Sequence, residues 1–269
     1  MTPRLLPSSS PRGSNLAFAL LCLPRQRRDD AFLFYRFCKT IDEIADGVGP
    51  TPDERLALLL SWKKAIDSEL PEGLEEMVAR NGIDRRHLHA IVDGCASDIE
   101  PQSFETIADL ESYCWKVACA VGLASIRIFG CTDPRSETYA VHLGHALQLV
   151  NILRDVGDDA ARGRVYIPEE DLRRHGLSRS EILSGKPDRT AFLALMAFEA
   201  SRARTRFAAA AAPRADFHAL LPARIMRAVY EKILSELELA AFPVFERRVS
   251  LGAAGKLAAA ASAFLQRRP

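Results

Sequence analysis

Apolar residues recur at helical spacing along almost the whole chain, and the alternation that a strand needs hardly occurs. The pattern predicts helices over about 14–23, 29–45, 51–70, 84–99, 107–129, 135–159, 190–212, 217–240 and 253–266. Pro24, Gly47 to Pro50, Pro71, Asn81-Gly82, Pro101, Gly130, Gly163, Pro187 and Pro213 break the pattern between them. Thr51-Pro52-Asp53-Glu54 is a clear start signal, with Thr as cap, Pro at the first helical position and Glu three residues after the cap. Residues 1–13, rich in Pro, Ser and Arg, read as a flexible arm. Residues 14–269 read as one all-α domain, a bundle of roughly eight to ten helices.

Composition narrows the class. The 269 residues are 48% hydrophobic, and 36 Lys+Arg against 35 Asp+Glu leave a net charge of +1. That balance argues against a nucleic-acid partner. The six cysteines form no CxxC pair and sit mostly in apolar stretches, so they read as buried free thiols. Leu16 to Leu23 is apolar, but Pro24, Arg25, Gln26, Arg27 and Arg28 follow where a signal peptide needs small residues. The expectation is a cytoplasmic protein.

Two acidic motifs carry the chemistry. Asp42 and Asp46 are four apart and share a helix face with Lys39 and Tyr35. Gln148, Asn151, Asp155 and Asp159 share a face of a second helix, while Ala146, Val150 and Leu153 point to the core. Like charges at this spacing destabilise a helix unless a cation offsets them. Hard oxygen donors suit Mg²⁺, which takes one or two carboxylates and completes its shell with phosphate and water. Lys39, Arg154 and Arg164 would meet the remaining phosphate oxygens. Either motif alone also reads as a solvated acidic face.

These residues resemble the squalene/phytoene synthase family of head-to-head prenyl synthases. Asn151-Ile152-Leu153-Arg154-Asp155 through Gly163-Arg164-Val165-Tyr166-Ile167-Pro168 follows its pattern NILRDxxxDxxxGRxYxP. Tyr113-Cys114 with Val117-Ala118 and Val121-Gly122 resembles its YCxxVAGxVG, and Phe245-Glu246-Arg247-Arg248-Val249 its closing segment. The resemblance implies an isoprenoid-synthase helical fold with a central cavity, binding two prenyl diphosphates. Asp42, Asp46, Asn151, Asp155 and Asp159 would hold Mg²⁺. Ser14, Asn15, Tyr35, Lys39, Gln148, Arg154, Arg164, Tyr230 and Arg247 would bind substrate. Tyr113 and Tyr166 would join the aspartates at the reaction centre, Tyr113 as a proton-handling group. Departures from the pattern include Lys39 in place of an Arg, and Cys119 in place of the Gly of VAG, which would put a side chain near the cavity wall.

The segment Val117 to Arg127 resembles bacterial presqualene diphosphate synthases of hopanoid pathways, so farnesyl diphosphate is the favoured substrate. Phytoene synthesis from geranylgeranyl diphosphate is the alternative, and an inactive scaffold member a third reading. The hydroxysqualene-forming branch carries Gln before the second-motif Asp, where this chain has Arg154. NADPH is not indicated, since no GxGxxG follows a strand, although this fold accepts it without one. His142 and His145, three apart, lack a third ligand for zinc. Arg247 to Pro269 reads as a final bundle helix with a solvated basic end; peripheral docking on a membrane is its alternative reading. The oligomeric state is open.

Overall fold

The computed structural model describes residues 3–5, 19–47, 49–100 and 102–265. No strand occurs among them. Among the described residues twelve bounded α-helices follow one another: α1 (Arg25–Ala45), α2 (Pro52–Asp67), α3 (Leu74–Asn81), α4 (Arg85–Ser97), α5 (Ile107–Cys114), α6 (Ala120–Phe129), α7 (Arg135–Ala161), α8 (Glu169–Arg174), α9 (Arg179–Leu183), α10 (Arg189–Ala209), α11 (Leu221–Leu239) and α12 (Ala253–Leu265). The long elements match the pattern of apolar positions. The three that it does not predict, α3, α8 and α9, are too short for periodicity to register; α9 begins at a capping box of Ser178 and Glu181, and at the start of α3 the Gly73 N–H donates to the Glu76 carboxylate. Helix α1 begins at Arg25, four residues before the expected start, with Pro24 as its N-cap residue, because proline is tolerated at a helix entrance. The Thr51 cap forms as expected: Glu54 N–H donates to Thr51 Oγ1, and Thr51 N–H donates to Glu54 Oε2 at 2.8 Å.

Residues 107–129 form one continuous helix, interrupted at Trp115–Cys119 by a π turn. By length and composition it could cross a membrane, but half of its apolar window is buried in the bundle, as a core helix requires. The extra residue of the π turn shifts the register of the faces, a change the sequence pattern does not announce. Close approach to α7 follows from two glycines. A Cβ at Gly144 would lie 2.8 Å from the Cys119 Cα, and one at Gly122 would lie 3.2 Å from the Ala140 carbonyl oxygen. Cys119 is therefore packed at this crossing, its thiol donating to the Val141 carbonyl, and does not line the cavity described below.

Helix α7, about 40 Å long at 1.5 Å per residue, is the central element and packs against α6, α10 and α11. Its N-terminus is fixed by buried Asp216, which accepts from the Thr132 and Asp133 N–H groups and from Ser136 Oγ. Phe37 and Trp62, 5.5 Å apart and both fully buried, anchor α1 on α2. Burial of each side chain contributes about 1.5–3 kcal/mol.

The bundle has two distinct ends. The C-termini of α1, α4 and α7 bear the aspartates. The starts of α1 and α11 and the ends of α6 and α12 meet at the other end: the Arg27 guanidinium donates to Ile128 O, and the Arg224 guanidinium donates to Ala263 O.

Candidate active site

At the aspartate end, Lys39 Nζ lies 2.8 Å from Asp42 Oδ2, with Tyr35 beside the ammonium. Asp46 is the C-cap residue of α1 and meets Arg164 at 2.9 Å and Arg162 at 3.6 Å. Arg164 also donates to the Asp98 carbonyl oxygen at 2.7 Å, so the loop after α7 ties α1 to the end of α4. Asp155 is clamped by two guanidinium groups, Arg154 at 2.5 and 2.8 Å and Arg248 at 2.7 and 2.9 Å. Burial works to raise its pKa, but these bonds hold the carboxyl below the usual range. Asp159 has no such clamp. Burial and the charge of Asp155 push it up to about 7.

The sequence pattern did not single out Asp98. Its two carboxylate oxygens each accept one tyrosine hydroxyl at 2.8 Å, Tyr113 on Oδ2 and Tyr166 on Oδ1. The two rings stack 5.3 Å apart against Phe104. Burial raises the pKa of Asp98 and of both phenols. Three distant segments are thus pinned by one carboxylate. Its only sequence signal is an acidic residue ending a helix, which is too common to stand out.

Arg248 is the other unexpected residue. Of the adjacent pair, Arg247 was expected to reach the diphosphate site, but Arg248 makes the contact with Asp155 and Arg247 is exposed. The strap that carries it leaves α11 through Ala241 and Phe242, both in the left-handed region at φ 56° and 49°. It then crosses α7 at Gly157, where a Cβ would lie 2.1 Å from the Val244 carbonyl oxygen. Only glycine allows this crossing, and the register of the crossing decides which arginine faces α7.

One turn before Asp155, Asn151 Nδ2 donates to Gln148 Oε1, while Asn151 Oδ1 is buried with no partner. Both residues line a cavity of about 170 Å³ between α6, α7 and α11. Tyr230 stands at the same polar end, beside Arg154. The cavity runs along α7 back to Ala140, a span of about 16 Å. Its far end is apolar, closed by Ile126, Phe129 and Met226. The structure thus brings together Asp42, Asp46, Asp155, Asp159, Tyr113, Tyr166, Arg164, Arg154, Gln148, Asn151 and Tyr230 at one end of the bundle. Ser14 and Asn15 lie outside the described residues. Among the described residues no three His, Cys, Asp or Glu side chains form a ready metal cage. The expected ligands stand apart, each carboxylate but Asp159 on a side-chain cation.

A helical bundle with two aspartate pairs at the head of an apolar cavity defines the class of the isoprenoid synthases. The squalene/phytoene synthase family matches residues 10–254. Presqualene diphosphate synthase of Rhodopseudomonas palustris is 35% identical over 257 residues, 91% of each chain. That of Sinorhizobium fredii is 38% identical over 181 residues, so the match spans just under two thirds of its length, 64%. Among solved structures, a dehydrosqualene synthase superposes with a TM-score of 0.81 at 23% identity, over 94% of this chain and 92% of that one, which shows a shared fold. The chain belongs to the squalene/phytoene synthase family and is a prenyltransferase of the head-to-head condensing type.

Proposed function

We propose that the chain condenses two farnesyl diphosphates into presqualene diphosphate, with release of one diphosphate. The observation that carries this reading is the apolar cavity headed by Gln148 and Asn151, one turn from Asp155. A prenyl chain fits along α7 while its diphosphate lies among the aspartates and arginines. The choice of a C15 chain rests on the presqualene diphosphate synthases among its relatives.

The donor set fits Mg²⁺. The unpartnered Asn151 Oδ1 is a buried oxygen in want of a cation, and Asp159 is a half-buried carboxyl whose charge a cation would stabilise. Asp42 and Asp46 would hold the metal from α1, and Asn151, Asp155 and Asp159 from α7. When bound, Mg²⁺ neutralises the departing diphosphate.

The protein's own groups do the rest. Lys39, Arg154, Arg164 and Arg248 lie where phosphate oxygens would replace their present carboxylate partners. The apolar walls exclude water, which would quench an allylic cation to an alcohol. Asp98 fixes the Tyr113 and Tyr166 hydroxyls, so the proton lost on cyclopropane closure has a hydroxyl–carboxylate pair to receive it. The test is incubation of purified protein with Mg²⁺ and farnesyl diphosphate, with and without NADPH, followed by mass spectrometry of the lipids. Presqualene diphosphate or squalene is the expected product. Phytoene from geranylgeranyl diphosphate alone would reassign the substrate, and silence with both would overturn the reading.

A further inference from the structure

At the end of the bundle away from the aspartates, apolar side chains are presented to solvent. On α12, Leu257, Phe264 and Leu265 are 59%, 58% and 82% exposed. Offsets of seven and eight place all three on one face, with exposed Ala261 between them. The opposite face, Ala259, Ala260 and Ala263, is buried against α11. Leu21, 59% exposed, precedes α1 at the same end of the bundle.

This end is also basic. Arg25 is exposed and Arg28 half-buried, neither with an ion pair among the described residues, against exposed Asp29 on the same turn. Arg214, on the loop that Asp216 ties to the start of α7, is exposed and likewise unpaired.

The apolar end of the cavity faces the same way. Pro222 and Ala223 line it and immediately precede Arg224, which holds the end of α12 through Ala263 O. Ile126 and Phe129 line it beside Ile128, which holds the start of α1 through Arg27.

We propose that this end of the bundle docks on an anionic bilayer, with Phe264 and Leu265 in the acyl boundary and the arginines on the headgroups. Apolar insertion together with several cations is the two-part signal that stable interfacial binding needs. Flanking cations favour a bilayer over a second copy of the chain, which would bring like charges together. The docking surface stands on exposure and charge; only its use, delivery of a lipophilic chain to the cavity, rests on the proposed function.

The test is flotation of the full chain with phosphatidylcholine vesicles, with and without phosphatidylglycerol. Binding is expected on the anionic vesicles alone and should weaken with salt. The double variant Phe264→Glu, Leu265→Glu should weaken it by about tenfold or more, and Arg25→Glu with Arg28→Glu by a comparable factor. Leu239→Glu, at the other end of α11 where Leu239 is 83% exposed, should float like the parent. All these variants should keep parental turnover on detergent-dispersed substrate, which separates a failure of docking from a failure of the enzymatic reading. No flotation, or flotation that Leu239→Glu abolishes while the Phe264/Leu265 variant retains it, overturns the proposal. So does a dimer in light scattering that the Phe264/Leu265 variant dissolves, since that gives the face to a second copy.

Discussion

The two Asp-x-x-x-Asp motifs share a spacing and differ in almost everything else. On α1, Asp42 is half exposed and its cation is a lysine one turn back on the same helix. On α7, the Asp155 side chain is 19% exposed and is gripped by two guanidinium groups from different segments. Its partner Asp159 is half-buried without a clamp, and its pKa is pushed up to about 7. Spacing decides which face two carboxylates share. Packing decides how much each resists carrying charge, and therefore which half of the site a cation relieves most.

The sharpest test removes one carboxylate from each pair. Asp42→Ala and Asp155→Ala should each lower turnover by about 10²–10³-fold, since both are placed to hold the departing diphosphate's counter-ion. Their stabilities should part. Asp42→Ala loses an exposed ion pair and should stay within about 1 kcal/mol of the parent in urea unfolding. Asp155→Ala leaves Arg154 buried without its carboxylate and should cost about 2–3 kcal/mol. Equal stabilities would erase the contrast between the motifs, and full activity in either variant would remove it from the site.

Asp98 lies between the two pairs, close enough for its charge to be felt at Asp159 and to feel that of Asp46. Asp98→Asn keeps the shape but offers one acceptor where two hydroxyls now donate. We expect kcat to fall by about 10²-fold with KM little moved. A change confined to KM would make Asp98 part of substrate binding instead.

The pH response should separate the pairs more gently. Asp159 has a folded pKa above its ordinary 3.8, so its contribution to stability is fully present below about pH 4 and lost as pH rises through 7. Asp155 runs the other way: its folded pKa is depressed, and its contribution is present at neutral pH and lost on acidification. In metal-free buffer at pH 8, Asp159→Asn should therefore exceed the parent by about 1–2 kcal/mol, and at pH 5 the two should be closer. Mg²⁺ with diphosphate should narrow the gap by stabilising the parent. A parent curve flat between pH 5 and 8 would refute the assignment.

Much of this was legible in the sequence, for identifiable reasons. Helical spacing is local, so the long helices and the faces of Asp42/Asp46 and Gln148/Asn151/Asp155 could be read directly. The Thr51 cap is a four-residue signal and formed as read. What spacing does not encode is where separate segments meet. Asp98 matters because Tyr113 and Tyr166 arrive at it from positions 15 and 68 residues away. The π turn at Trp115–Cys119 and the short helices α3, α8 and α9 left no periodic trace. The choice between Arg247 and Arg248 turns on how the strap crosses α7, a matter of one residue of register.

That choice yields the smallest effect and the finest test. The two arginines are adjacent, identical in chemistry and both exposed, so composition and charge cannot distinguish them. The strap can, because Gly157 lets the Val244 carbonyl sit against α7 and so turns Arg248 toward Asp155. Arg248→Ala should raise KM for prenyl diphosphate by about tenfold, as one charge-assisted contact is lost. Arg247→Ala should change it less than about twofold, the usual cost of an exposed charge away from the site. The salt dependence of KM should flatten in the first variant alone. Were Arg247→Ala the damaging change, the strap would have to shift by one residue when substrate binds, and the α7 clamp described here would belong to the free enzyme only.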